Sequence, residues 1–273
     1  MHKSESDIIM NASFQTIKKD LTSLGLKAGD MVIVHSSLSS MGNVDGGAKT
    51  VISAIQDIIG KNGTLMFPTF TYATVYNGEP FIHAQTPVCV GLIPETFRKM
   101  PGVIRSLHPT HSVAVWGKYA KELTAKHYQD ETPMGINSPY RQLAKHGAKI
   151  LMLGCSLNST SYMHALEEEA GVEYCLRKDY VKYTITDESG NTYTKKYRRH
   201  NFTRPTGNVK QCYARCIDVL VPNLDYTVGK IHGATSYLID AASLHEKAIL
   251  KMKEDTYYFV DMSDVGTKTS SER

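Results

Sequence analysis

The sequence predicts an α/β fold, a three-layer α/β/α domain with a mainly parallel mixed sheet and a β-hairpin excursion. Three observations carry that prediction. Short apolar runs at residues 31–34, 64–67 and 149–153 lack the polar alternation of a half-exposed strand, so each reads as a strand buried on both faces. Between the first two runs lies a segment with apolar residues every three or four positions, and this β-helix-β order favours a parallel crossover. After Tyr180 the period changes to two, which marks the hairpin.

Taken in order, residues 8–24 read as a helix, with Ile8, Ile9, Phe14, Ile17, Leu21 and Leu24 on one face and Gly25 as its stop. A tight turn at residues 27–30 leads into the first strand. A loop rich in serine and glycine follows at residues 35–47, then a helix at 48–59 that aligns Val51, Ile52, Ile55, Ile58 and Ile59. Asn62-Gly63 turns the chain into the strand at 64–67. Residues 92–100 read as helix, 113–116 as a short strand, 139–145 as helix, 149–153 as the third apolar strand and 162–170 as a helix directly after it. Val181, Tyr183, Ile185, Tyr193 and Tyr197 then alternate around the turn Glu188-Ser189-Gly190-Asn191. The last third returns to helix, longest at 234–252, with a final strand at 257–260. No internal repeat, low-complexity tract or Pro/Gly-rich linker interrupts this order, so residues 1–273 are read as a single domain with a hairpin insertion at about 180–200.

Hydrophobic residues make up 41% of the chain and charged residues 21%, a globular balance that excludes disordered, fibrous and collagen-like classes. Lys and Arg total 31 against 27 Asp and Glu, and a net charge of +4 gives no reason to expect a nucleic-acid partner. The basic run Lys195, Lys196, Arg198, Arg199 and His200 reads as solvated surface. No apolar run approaches the roughly 20 residues that cross a bilayer, and the opening MHKSESDIIMNASF lacks the apolar stretch of a signal peptide. The expectation is a cytoplasmic chain without membrane contact. Cys89, Cys155, Cys175, Cys212 and Cys216 are odd in number and irregularly spaced, which fits free thiols, and no metal site is expected.

The loop at 35–47 is the most informative segment. It lies between a strand end and a helix start, where backbone N–H groups and the helix dipole favour an anion and small side chains let a phosphate approach. Neither G-x-G-x-x-G nor G-x-x-x-x-G-K-[ST] occurs, so the loop fits either a phosphorylated ligand or an ordinary polar loop with glycine turns. A second candidate is the helix after the third strand, where His164 has Glu167 at i+3 and Glu168 at i+4. A carboxylate beside an imidazole raises its basicity and fixes its tautomer, as a general base requires, although the same spacing also makes surface ion pairs. Cys155, at the same strand end, is either a nucleophile or a packed small residue. Residues 105–113, RSLHPTHSV, gather hydrogen-bond donors before a strand.

These residues resemble a known family. LKAGDMVIVHSSLSSMGNVDGGAKTVISAIQDIIGKNGTLMFPTFTY at 26–72 is similar to the first signature of the aminoglycoside 3-N-acetyltransferases, the antibiotic N-acetyltransferase family. RSLHPTHSVAVWG at 105–117, NSPYRQLAKHGAKILMLGC at 137–155 and the His164-x-x-Glu167 helix follow in the family's order, and VGKIHGATSYLIDA at 228–241 looks related. The nearest pattern is that of the stand-alone Bacillus and phage-type members.

The resemblance implies acetyl-coenzyme A as co-substrate, with no metal, and as acceptor the 3-amino group of a 2-deoxystreptamine aminoglycoside, with antibiotic resistance as the setting. It implies His35, Ser36, Ser37, Ser39, Ser40, Gly42 and Val44 around the coenzyme, with Thr69, Thr71, Arg105, Ser106, His111, Ser112 and Val113 contributing. His164, held by Glu167, would be the general base for direct transfer, and Glu168 and Glu173 a counter-charge for a cationic acceptor. Thr160-Ser161 stands where members often carry an Asn-Thr-x-x-His arrangement. Transfer to a different amine, coenzyme A binding without aminoglycoside activity, and a Cys155 hydrolase remain alternatives. A homo-oligomer is left open.

Overall fold

The computed structural model describes residues 11–202 and 209–261. Ser13 starts helix α1 (Phe14–Leu24) by accepting the Thr16 amide at 3.2 Å, and Gly25 ends it at φ +114, a left-handed value that a side chain would strain. The helix expected over 8–24 is shorter at its start: residues 8–10 lie outside the described residues, Ala12 pairs in extended form with Val44, and the helix begins only at Phe14. Strand β1 (Met31–Ser36), helix α2 (Gly47–Ile59) and strand β2 (Thr64–Pro68) form the expected parallel crossover. There follow α3 (Tyr72–Val75), β3 (Phe81–Ile82), α4 (Leu92–Phe97), β4 (Ile104–Arg105), β5 (Val113–Gly117), α5 (Ala120–Thr124), β6 (Lys149–Leu153) and α6 (Tyr162–Ala170). The hairpin is β7 (Leu176–Thr186) and β8 (Thr192–His200). Strands β9 (Lys210–Gln211), β10 (Tyr226–Ile231) and β11 (Ala234–Asp240), helix α7 (Ala241–Glu254) and strand β12 (Val260–Asp261) complete the described chain.

The main sheet has seven strands in the order β10-β11-β6-β1-β2-β5-β4. Strands β6, β1 and β2 are mutually parallel at its centre, β11 and β5 flank them antiparallel, and β10 and β4 point again with the central three. The two faces of the strands feed two separate cores. Val32, Val34, Leu65, Phe67, Leu151 and Leu153 pack under α1, α2 and α4, whereas Met31, Ile33, Met66, Ile150 and Met152 pack under α5, α6 and α7. This is the three-layer arrangement that the apolar runs imply. Ile52 and Ile55, wholly buried on α2, each contribute about 1.5–3 kcal/mol by leaving water. The hairpin pairs with β3 and has its own small core of Val75, Phe81, Tyr183, Ile185 and Tyr197.

Four expectations change. Residues 234–252 are not one helix: β11 occupies 234–240, because β6 needs a partner on the side away from β1, and α7 starts only where Asp240 caps the Ser243 amide. Strand β10, which pairs with β11, has no counterpart in the sequence reading. Residues 139–145 form only a 3-10 turn at Pro139–Gln142, with proline in its first turn, and α4 stops at Phe97 rather than at residue 100. The final strand shifts from 257–260 to Val260–Asp261, where it pairs with β9.

Candidate functional site

A cleft of about 420 Å³ opens at the carboxyl ends of the central strands. His35 and Ser36 from the end of β1, Pro68 from β2 and Cys155 from the turn after β6 form its floor, and His164 on α6 projects into it. Phe70, Tyr72 and Tyr76 line it beyond β2, His111 comes from the segment before β5, His200 from the end of β8, Phe202 from just beyond it and Gln211 from β9. Period-two alternation in β1 puts His35 on the same face as Met31 and Ile33, the face that α6 covers. Among the described residues, no Asp, Glu, Lys or Arg lines the cleft.

His164 is held by a relay. Its Nδ1 lies 2.7 Å from the Tyr213 hydroxyl, which in turn lies 2.5 Å from Glu167 Oε2; Tyr174 donates to Glu167 Oε1 at 3.0 Å. A carboxylate oxygen only accepts, so the Tyr213 proton goes to Glu167 and Nδ1–H of His164 donates to Tyr213. The neutral imidazole then has its lone pair on Nε2, which faces the Gln211 amide nitrogen at 3.0 Å. Glu167 is fully buried. Burial and the adjacent Glu167 hold the Tyr213 phenol well above its ordinary pKa, so the phenol keeps its proton.

Beside this relay stands a second pair. The His200 ring stacks on that of His164 at 4.4 Å, and His200 Nε2 lies 2.8 Å from Glu168 Oε1, which also accepts the Met134 amide at 2.8 Å. Burial raises the Glu168 carboxyl to about 7; burial, and then His164, lower the His200 imidazole well below its usual range. His111 packs edgewise on His200 and against Phe70. His35 is buried, its pKa lowered to about 3 by desolvation and then by His164, and its Nε2 has no protein partner; the buried Ser36 Oγ has none either. Burial pushes the Cys155 thiol up to about 12, the opposite of what a thiolate nucleophile needs.

Of the residues expected around the coenzyme, the structure brings His35, Ser36 and His111 into the cleft wall. Ser37, Ser39, Ser40, Gly42 and Val44 lie in the adjoining loop, braced where Ser40 Oγ donates to the Ser37 and Gly154 carbonyls. Others are committed to the interior. Arg105 gives its donors to Ser112 Oγ and to the carbonyls of His83, Thr86 and Thr69; the Thr71 hydroxyl is bonded to the Pro109 carbonyl, Ser106 to His127 Nδ1, and Val113 sits within β5. These groups fix the strand ends rather than line the cleft. Glu167 meets His164 through Tyr213 instead of directly, since Oε2 lies 3.6 Å from Nδ1. Glu168 is turned inward to His200, and Glu173 is exposed, bonded to Tyr257 and absent from the cleft lining, so neither presents a free carboxylate to an acceptor in the cleft.

Tyr213, Tyr174, Gln211 and Phe202 escape the sequence reading. Tyr213 and Gln211 are 49 and 47 residues from His164, beyond any local spacing rule. His200 was visible only as the end of a basic run.

Residues 33–253 match a protein family described as aminoglycoside 3-N-acetyltransferase. Aminoglycoside N(3)-acetyltransferase IX of Micromonospora chalcea is 32% identical over 259 residues, covering 85% of this chain and 90% of the relative. Among solved structures, AAC-IIIb in binary complex with CoASH superimposes with a TM-score of 0.78 at 25% identity, over 90% of this chain and 97% of that one. The YokD protein from Bacillus subtilis gives 0.76 at 26% identity, over 91% and 96%.

Proposed function

The chain belongs to the aminoglycoside 3-N-acetyltransferase family, and we propose that it moves acetyl from acetyl-coenzyme A to the 3-amino group of a 2-deoxystreptamine aminoglycoside by direct transfer, with His164 as general base. It is an acetyltransferase that uses acetyl-coenzyme A as co-substrate. The observation that carries the assigned base is the relay from Glu167 through Tyr213 to His164, which turns the Nε2 lone pair toward the cleft, where an incoming amine would take the place of the Gln211 amide. An ammonium cannot attack a thioester. As the nitrogen bonds to the acetyl carbon, Nε2 takes its proton, and the resulting imidazolium is stabilised through Tyr213 by the Glu167 carboxylate. Collapse of the tetrahedral adduct breaks the C–S bond, and the proton passes from Nε2 to the departing sulfur, giving an amide and free coenzyme A.

The orphaned polar atoms of His35 and Ser36 on the cleft floor fit an incoming ligand with its own hydrogen-bonding groups, and they are our candidates for the thioester end. The serine loop and the amino end of α2, whose Gly46 offers no side-chain cap, are our candidates for the coenzyme's phosphates. His35, Ser36, His164 and Gln211 come from both halves of the chain, which supports reading it as one catalytic domain. Replacing His164 by alanine should leave coenzyme A binding by calorimetry nearly unchanged and reduce thiol release with an aminoglycoside by about 10²- to 10⁴-fold. Undiminished turnover would overturn the assigned base. No thiol release by the parent enzyme with any aminoglycoside in a panel would overturn the acceptor class.

A further inference from the structure

Sequence spacing suggests that Glu167 touches His164 directly, one turn along α6. The structure interposes a phenol. Tyr213 opens the 3-10 segment Tyr213–Val219, and that segment is tied to the loop before α6 by the Ala214 amide, which donates to Asn158 Oδ1 at 2.8 Å. Its ring meets His164 edge-on at 5.0 Å, and the whole side chain is buried, so its hydroxyl is the group that bridges the two. The alternative, direct contact, is blocked twice over. The 3.6 Å between Nδ1 and Oε2 is outside hydrogen-bond range, and Tyr174 pins the other carboxylate oxygen at 3.0 Å, so the carboxylate cannot swing toward the ring without losing a buried bond.

We propose that Tyr213 is a positioning residue that couples Glu167 to His164 and locks the imidazole with its proton on Nδ1 and its lone pair on Nε2. The proton need not cross from one group to the next; the phenol only has to accept from Nδ1–H while donating to Glu167, and it can do both because one hydroxyl carries one donor and acceptor lone pairs. Removing the hydroxyl costs Nδ1 its acceptor and leaves Glu167 Oε2 short of a partner. Either ring nitrogen can then hold the proton, and the Nε2–H form cannot act as a base.

The inference rests on His164 being the base, but its first readout does not. In ¹⁵N spectra of histidine-labelled protein, the parent enzyme should show His164 as the Nδ1–H tautomer, and Tyr213→Phe should show a mixture. With both substrates, Tyr213→Phe should lower kcat by about 10- to 100-fold, the factor attached to a lost hydrogen bond to a charged group, with KM for acetyl-coenzyme A unchanged. Tyr213→Phe combined with Glu167→Gln should be no slower than the slower single variant, because both break one relay. An unchanged tautomer in Tyr213→Phe, or fully additive losses in the double variant, would overturn the coupling. Phenylalanine keeps the ring, and if Glu167→Gln does not fold, the tautomer of Tyr213→Phe alone decides. Should the tautomer shift while His164→Ala still turns over, the base assignment fails and the coupling stands.

Discussion

At the scale of single residues, chemistry depends on which polar atoms remain uncommitted. Arg105 looks in sequence like an anion ligand beside a ligand-binding strand end, yet its donors are spent on three carbonyls and a hydroxyl, and Phe81 packs under its guanidinium at 5.1 Å. His164 and Glu167 were legible because their partnership uses helical spacing. Tyr213 was not, since nothing in its local sequence links it to a residue 49 positions away and only the fold brings its hydroxyl to Nδ1. Cys155 shows the converse, a residue in the right place with the wrong chemistry: it lines the cleft, but burial keeps its sulfur protonated near neutral pH. Cys155→Ala should therefore retain turnover within a few-fold in the thiol-release assay. An inactive variant, with an acetyl adduct on the parent enzyme by mass spectrometry, would replace direct transfer with a cysteine relay.

At the scale of elements, the central strands were legible because burial on both faces leaves an unbroken apolar run, a pattern that few other structures share. The stretch 234–240 was not. Its Ala, Thr, Ser, Tyr, Leu, Ile and Asp suit either period, and the decision is made by the open edge of β6, a long-range demand. The local signal that existed was Asp240 three residues before Ser243, an N-cap spacing that marks the true helix start. The turn after β6 joins element to site. Gly154 sits at φ +63, and a Cβ there would come within 2.2 Å of Ser40 Oγ and 2.8 Å of the Ala234 methyl. Gly154→Ala should thus push the serine loop away from β6, cost about 1–3 kcal/mol in urea denaturation and weaken coenzyme A binding by calorimetry. Unchanged affinity in a destabilised variant would separate the loop from coenzyme binding.

At the scale of the whole molecule, buried imidazoles dominate the acid response. Burial, the main cause in each case, holds His35, His108, His111, His127 and His200 below their ordinary range, His35 and His127 to about 3. The unfolded chain protonates them near pH 6.5, so it binds more protons than the folded chain below that value. Their stabilisation is therefore complete above about pH 6.5 and is lost as pH falls toward the folded-state values, with a slope of up to about 1.4 kcal/mol per pH unit for each group. Glu168 works in the opposite sense, since a carboxyl raised to about 7 loses its contribution as pH rises from its unfolded value. Burial raises Asp130 in the same sense, yet two carboxyls do not offset five imidazoles, and the urea midpoint should be clearly lower at about pH 5.5 than at about pH 7.5; equal midpoints would show that the buried histidines accept protons without unfolding.

The strand order has a further consequence for how the molecule is made. Strand β6 lies between β1, which precedes it, and β11, which is translated long afterwards. A nascent chain that has just completed α6 thus exposes one flank of an apolar central strand, the kind of unpaired edge on which other chains nucleate. The hairpin, β9 and Tyr213 emerge during that interval, so the His164 imidazole gains its phenol partner before the sheet gains its closing strands.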